Sequence, residues 1–285
     1  METKRKGAQK SGFHHLLVVG WLEKVNEFAQ QRLTETLLQF CTKWLSRLGH
    51  YGLMSAAALG FLLAAVYAIR FNTFTPFLLG LVWVLLVFVV QYTAVKFADA
   101  GATLIDSNPT SLSSKAFLDC LAFLSMIGGI VVLVVMTIQA IQSNAIYPFL
   151  IGLGIFVLLE LLALLAYHPA LVTVSVVRET TAGQEAIGIV TFFLKGLLKL
   201  VPIFFGVGVL IATVLLLIDF FKIFGEEYQA AMAWSGANVK AGQILYAGLL
   251  PFLSYIVFVL LYLVVDLIQA ILSIPGKLDR LNKNK

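Results

Sequence analysis

The sequence predicts an all-α integral membrane protein with six transmembrane helices, arranged as three repeated hairpins, and an amphipathic helix at the N-terminus. Three observations carry that prediction. Apolar residues make up 60% of the 285 and charged residues 12%, against about 25% charged in an average soluble domain, and the mean hydropathy is +0.94. Six stretches are long and apolar enough to cross a bilayer. One polar, helix-breaking corner is written twice, seventy-two residues apart.

The N-terminus comes first. Lys4, Arg5, Lys6 and Lys10 make residues 1–14 a basic segment, expected to be disordered. With the apolar run Leu16–Leu22 they imitate a signal peptide, but Glu23, Lys24 and Glu27 follow with no small-residue cleavage site, so the segment is expected to be retained. Over 15–49, Trp21, Val25 and Phe28, then Leu33, Leu37, Phe40, Trp44 and Leu48, recur at three- and four-residue spacing with charges between them. That period describes an amphipathic helical region. It could lie in the membrane interface, held by apolar burial and by anionic lipid at the basic inner face. It could equally dock on a partner or on the protein's own helices.

The spans follow at about 51–70, 75–95, 117–141, 146–167, 201–223 and 244–270. A hydrocarbon core about 30 Å thick takes about 20 residues of helix, and lipid offers no partner for the backbone groups of any other open structure. Gly60, Gly128, Gly129, Gly206 and Gly208 sit inside the spans, where they would let neighbouring helices approach closely. The transmembrane domain is placed at 50–275 and a basic tail at 276–285. Seventeen of the twenty Lys and Arg fall before the first span, in the even-numbered connections or in the tail, and only Arg70, Lys222 and Lys240 fall on the other side. Positive charge stays inside, so both termini are expected in the cytoplasm, and short loops suit a bacterial inner membrane.

The repeated corner reads AIRFNTFTPFLLGL over 68–81 and AIQSNAIYPFLIGL over 140–153, identical at eight of fourteen positions. Asn72 and Asn144 fall in short turns, where an asparagine side chain can bond nearby backbone. Pro76 and Pro148 start the next helices, where the missing N–H has no partner to lose. A fainter copy puts Pro251 at the start of the last span, with Ala247 in place of the asparagine and Tyr255 in place of Gly80 and Gly152. The inner connections 111–124 and 181–200 each open with small polar residues able to cap a helix. The predicted unit is therefore an inner helix, a span, a tight corner and a span, giving hairpins at 51–95, 117–167 and 201–270. They could close into a pseudo-threefold ring or stand in a row.

Ionisable residues within spans are functional candidates because burying them is costly. Glu160 lies well inside the fourth span, and Lys195 and Lys199 stand one helical turn apart just before the fifth. These three make the candidate polar site, as a structural ion pair, a proton or cation site, or a neutral Glu in a helix interface. Asp119, His168, Asp219 and Asp266 sit near span ends, within reach of water. The stretch 99–111 reads as a polar linker, and 224–243 as an outer loop with a short surface helix.

No nucleophile elbow, HExxH, P-loop or Gly-rich strand–helix turn is present, so no catalytic set, metal site or cofactor is expected. Cys41 and Cys120 are in no metal-like spacing. The function expected is that of a non-enzymatic structural or accessory component, packing with membrane lipids and with other membrane proteins or copies of itself, and not with nucleic acid. The alternative is a transporter or channel for an ion, small solute or lipid, with Glu160, Lys195 and Lys199 near its path.

Overall fold

A computed structural model describes residues 35–177 and 181–283, with Lys24 and Gln30, and describes no side chain beyond 271. The basic N-terminus and most of the region 15–34 lie outside the described residues.

Among the described residues, six helices are long and apolar enough to cross a membrane. They are α1 (Glu35–Arg70), α2 (Thr75–Ser107), α3 (Lys115–Ser143), α4 (Tyr147–Tyr167), α5 (Ala182–Lys222) and α6 (Glu227–Lys283). Two short strands, β1 (Thr110–Leu112) and β2 (Val174–Val176), pair in parallel with Thr110 opposite Val174. A 3-10 turn, Pro169–Val172, leads into β2.

The helices run further than the apolar spans, and this corrects three expectations. The polar stretch 99–111 is no linker: its first part continues α2 to Ser107 and its last part enters β1. The outer segment 224–243 is no loop with a separate surface helix: from Glu227 it forms the first turns of α6. Pro251 therefore stands inside α6 and turns no corner. The segment is rich in alanine, the best helix former, and Ala230, Ala233 and Ala237 are buried along one face. Proline within a membrane helix forfeits one backbone bond, a loss such helices tolerate.

The chain divides into two compact units. Among the described residues the smaller holds Ala116–His168 with the start of α1, Glu35–Leu37. In it α3 and α4 pack through glycines. Gly129 lies against Phe156 and Leu159, and a Cβ on Gly152 would stand 2.5 Å from the Met136 Cβ. His168 ends α4, its N–H donating to the Leu164 carbonyl at 3.1 Å. Its Nδ1 lies 3.4 Å from Glu35 Oε1.

The larger unit holds Leu38–Lys115 and Pro169 onward. Its core is built by Leu53 and Leu63 of α1, Val87 and Val90 of α2, Phe205 and Val209 of α5, and the alanine face of α6. Helices α1 and α5 cross at two glycines. A Cβ on Gly49 would meet the Gly206 Cα at 2.7 Å, and a Cβ on Gly206 would fall inside the van der Waals shell of the Leu45 carbonyl.

Both tight corners end a helix in the same way. Asn72 has φ 52° and Asn144 φ 48°, a left-handed conformation that asparagine visits more readily than most residues. Asn72 N–H donates to Ile69 O at 3.4 Å and Thr73 N–H to Ala68 O at 3.0 Å; Asn144 and Ala145 do the same to Ile141 and Ala140 at 3.3 and 3.1 Å. These are the two bonds of a Schellman cap. Asparagine is thus placed there by its backbone, where the sequence suggested a side-chain bond. The following helices start with proline at their first positions.

Candidate functional site

Within the larger unit, polar chemistry gathers where α2 ends, β1 and β2 pair, and α5 begins. Lys195 is at its centre. It has no solvent exposure. Its Nζ donates to the Asn108 carbonyl, and to Thr110 Oγ1 at 2.9 Å. Helix α5 brings Lys195 there because its capping box starts the helix at a fixed place. Thr181 Oγ1 accepts from Gln184 N at 3.3 Å, and Gln184 Oε1 accepts from Thr181 N at 3.1 Å, as a Ser/Thr followed three residues later by Gln provides.

The receiving side is equally fixed. Asn108 caps α2, its Nδ2 donating to the Leu104 carbonyl at 2.8 Å. Thr110 N–H donates to Thr173 O at 3.0 Å. Thr173 has φ 52°, a strained backbone for a β-branched residue, and its Oγ1 donates to the Ile105 carbonyl at 2.6 Å. That bond ties β2 to the end of α2.

Glu185, four residues into α5, completes the cluster. Its Oε2 accepts from Ser113 N and Ser113 Oγ, both at 2.7 Å, and its Oε1 accepts from Ser114 N at 2.9 Å. One carboxylate thus takes up two backbone donors just ahead of α3. A Cβ on Gly188 would stand 2.7 Å from the Ser111 carbonyl, so glycine lets α5 lie directly on β1.

Of the three predicted site residues, Lys195 occupies this node and Lys199 is half-buried one turn further along α5. Glu160 is half-buried in the smaller unit, where its Oε1 lies 3.5 Å from the position of a Cβ on Gly129. Asp219 is 8% exposed, with Oδ1 3.6 Å from Lys222 Nζ. Its Oδ2 is buried against Gly236 without a hydrogen-bond partner.

Sequence reasoning missed Asn108 and Thr110, in the stretch read as a linker, Glu185, in a connection read for its cap, and Thr173, between 167 and 181, which was given no reading. It also missed His50 and Gln91, which meet between α1 and α2 with Nδ1 and Oε1 3.3 Å apart. The one available signal was the density of Ser, Thr and Asn over 107–114.

A cavity of about 440 Å³ opens beside the node, lined by Thr110 and Ser111 of β1, Thr181, Gln184 and Gly188 at the start of α5, and Tyr262 and Gln269 of α6. Tyr262 meets the Thr110 side chain there. A second cavity of about 360 Å³, almost wholly apolar, runs between α5 and α6. No family model, no curated protein and no solved structure matches this chain.

Proposed function

We propose that this chain is a non-enzymatic polytopic membrane protein, an accessory or structural component that packs with other membrane proteins or with lipid. In this reading it resides in a bacterial inner membrane with both termini in the cytoplasm. The observation that supports it is how the polar side chains between helices are used. Trp83 Nε1 donates to the Ala56 carbonyl at 2.9 Å. Thr213 Oγ1 reaches the Gly52 carbonyl at 3.3 Å. Arg70 donates to the Ile223 and Gly225 carbonyls at 2.5 and 2.6 Å, and Lys195 is held by Asn108 and Thr110. Each braces two segments of the same chain, as polar groups between membrane helices do. A path for a hydrophilic solute needs such groups turned toward a water-filled cavity. The transport reading, with Glu160, Lys195 and Lys199 along a path, loses the Lys195 ammonium to that bracing.

The three-hairpin plan and the interfacial N-terminal helix belong to the same reading. The cavities at the two corners support the repeat: Ala68, Asn72 and Phe77 line one, and Ala140, Asn144 and Phe149, each seventy-two residues later, line the other. Exposed Phe40 and Trp44, their rings 5.9 Å apart on the first turns of α1, support an interfacial start. The charge bias supports the orientation.

The test is gentle solubilisation from native membranes, followed by sizing and mass spectrometry of what stays attached. A stoichiometric membrane-protein partner, or a defined oligomer of the chain, is expected. An isolated chain that moves ions or solute in liposomes, and stops when Glu160 is changed to Gln, would overturn the reading.

A further inference from the structure

The apolar groove and the polar cavity follow one another along the α5–α6 pair. Along α6 the groove is lined from Tyr246 to Leu261 and the polar cavity from Tyr262 to Gln269. Along α5, which runs the other way, the groove is lined by Leu194 to Phe204 and the cavity by residues 181–188. The change from apolar to polar falls between Leu261 and Tyr262 on one wall and between Leu194 and Gly188 on the other. Lys195 stands behind that join, and its hydroxyl partner Thr110 lines the polar end.

Length and charge name an occupant. The groove follows sixteen residues of α6, Tyr246 to Leu261, with about 22 Å of helix rise between its ends, against about 15 Å for one leaflet's half of the hydrocarbon core. The polar end offers the hydroxyls of Ser111, Thr181 and Tyr262 and the amides of Gln184 and Gln269. Thr110 on its lining accepts from the buried Lys195 ammonium, which is held by two neutral oxygens. A cation so placed acts through low-dielectric surroundings and favours an anion at the mouth. The nearest carboxylate on α5, Glu185, is occupied by the Ser113 and Ser114 donors. Asp266 of α6 is exposed, so water and salt screen its opposing charge.

We infer that the groove and the cavity together form a binding site for one glycerophospholipid, with its phosphate in the polar cavity between β1, α5 and α6 and an acyl chain in the groove between α5 and α6. The inference goes beyond the accessory reading and needs no protein partner. The lipid is a fixed ligand there, distinct from the fluid lipid around the helices, and it fills the seam of the α5–α6 pair.

The experiment uses the full chain, delipidated in dodecyl maltoside, with thermal unfolding followed by tryptophan fluorescence. Dioleoylphosphatidylglycerol, dioleoylglycerol and inorganic phosphate are titrated separately. The phospholipid is expected to raise the midpoint by about 5 °C, while the other two leave it within about 1 °C. Ser254→Trp, which fills the groove, is expected to lose the shift. Should that variant fail to fold, Val257→Trp, at a groove position already 54% exposed, takes its place in the same titration. An equal shift from dioleoylglycerol would show that the phosphate is not read. A shift from phosphate alone would show that the groove is not used. Either result, no shift with the phospholipid, or a blocked groove that still responds fully, overturns the assignment.

Discussion

Lys195 donates to the Thr110 hydroxyl at 2.9 Å across eighty-five residues of chain, from a position with no solvent exposure. The bond ties α5 to β1, and through the Thr110–Thr173 pairing to β2. Replacing Lys195 by Met takes the ammonium donor from the half-buried Asn108 carbonyl and Thr110 hydroxyl, a loss of about 1–3 kcal/mol. Lys199→Met, at a half-buried position, is expected to stay within about 0.5 kcal/mol. Reversible unfolding in mixed micelles measures both. In a double-mutant cycle, Lys195→Met and Thr110→Val are expected to couple by at least about 0.5 kcal/mol; strict additivity would mean that the bond carries no stability.

The α1–α5 crossing gives a second prediction. A Cβ on Gly206 collides with backbone at Leu45, whereas a Cβ on Gly242 meets nothing within 4 Å. Gly206→Ala is expected to destabilise by about 1–3 kcal/mol through overpacking. Gly242→Ala is expected to be neutral, or to stabilise by up to about 1 kcal/mol through helix propensity. Equal thermal midpoints for the two variants would show that α1 and α5 do not cross this closely.

The corners give a third. Asn144 at φ 48° pays for its conformation through its backbone, so Asn144→Gly is expected to be tolerated. Asn144→Val is expected to cost about 1–2 kcal/mol. Asn72 is expected to give the same pair of results, because its cap bonds are the same. If glycine proves as harmful as valine at both positions, the asparagine side chain is what matters there.

Glu185 gives a fourth. Its carboxylate accepts three bonds from Ser113 and Ser114. Glu185→Ala is expected to cost about 1.5–3 kcal/mol, the range for bonds to a charged acceptor. Glu185→Gln, which keeps one acceptor oxygen, is expected to recover part of that. Hydrogen exchange at Ser113 and Ser114 reads the effect locally, and unchanged protection in the alanine variant would contradict the contact.

Orientation gives a fifth. In a chain with Cys41 and Cys120 replaced by alanine, Thr73→Cys and Ser143→Cys are expected to react with an impermeant maleimide added outside intact cells. Lys285→Cys is expected to react only after permeabilisation. The reverse pattern would invert the topology drawn from the charge bias.

How much of this was legible in the sequence differs by scale. The six apolar helices were readable, because a bilayer demands about 20 apolar residues per crossing and few charges. Gly206 was readable as a site of close approach, though not its neighbour Leu45. The helix lengths were not readable. Polar turns such as Ala98–Ser107 and Glu227–Gln243 look like loops when apolarity is the only guide, yet their alanines and their packing keep them helical. The polar node was half legible. Lys195 stood out as a charge beside a span, but its partners are a main-chain carbonyl and one threonine hydroxyl, and neither leaves a pattern in the sequence. Glu160 stood out for the same reason as Lys195, and its role stays with the proposal.

The two Schellman corners also bear on how the chain reaches its place. Each hands the last carbonyls of one helix to the next few N–H groups, so Phe71–Thr73 and Asn144–Ala145 carry their N–H bonds within the turn. A ribosome feeding this chain to the insertion machinery therefore has little bare backbone to push through the oil at either point, though Arg70 and a few polar side chains go with it. In the orientation proposed from the charge bias, two helices can enter together as a closed loop, with the cations at its base left behind as a brake. Lengthening either corner with a polar insert would turn that single step into two, and slow the birth of the protein before it changed the finished one.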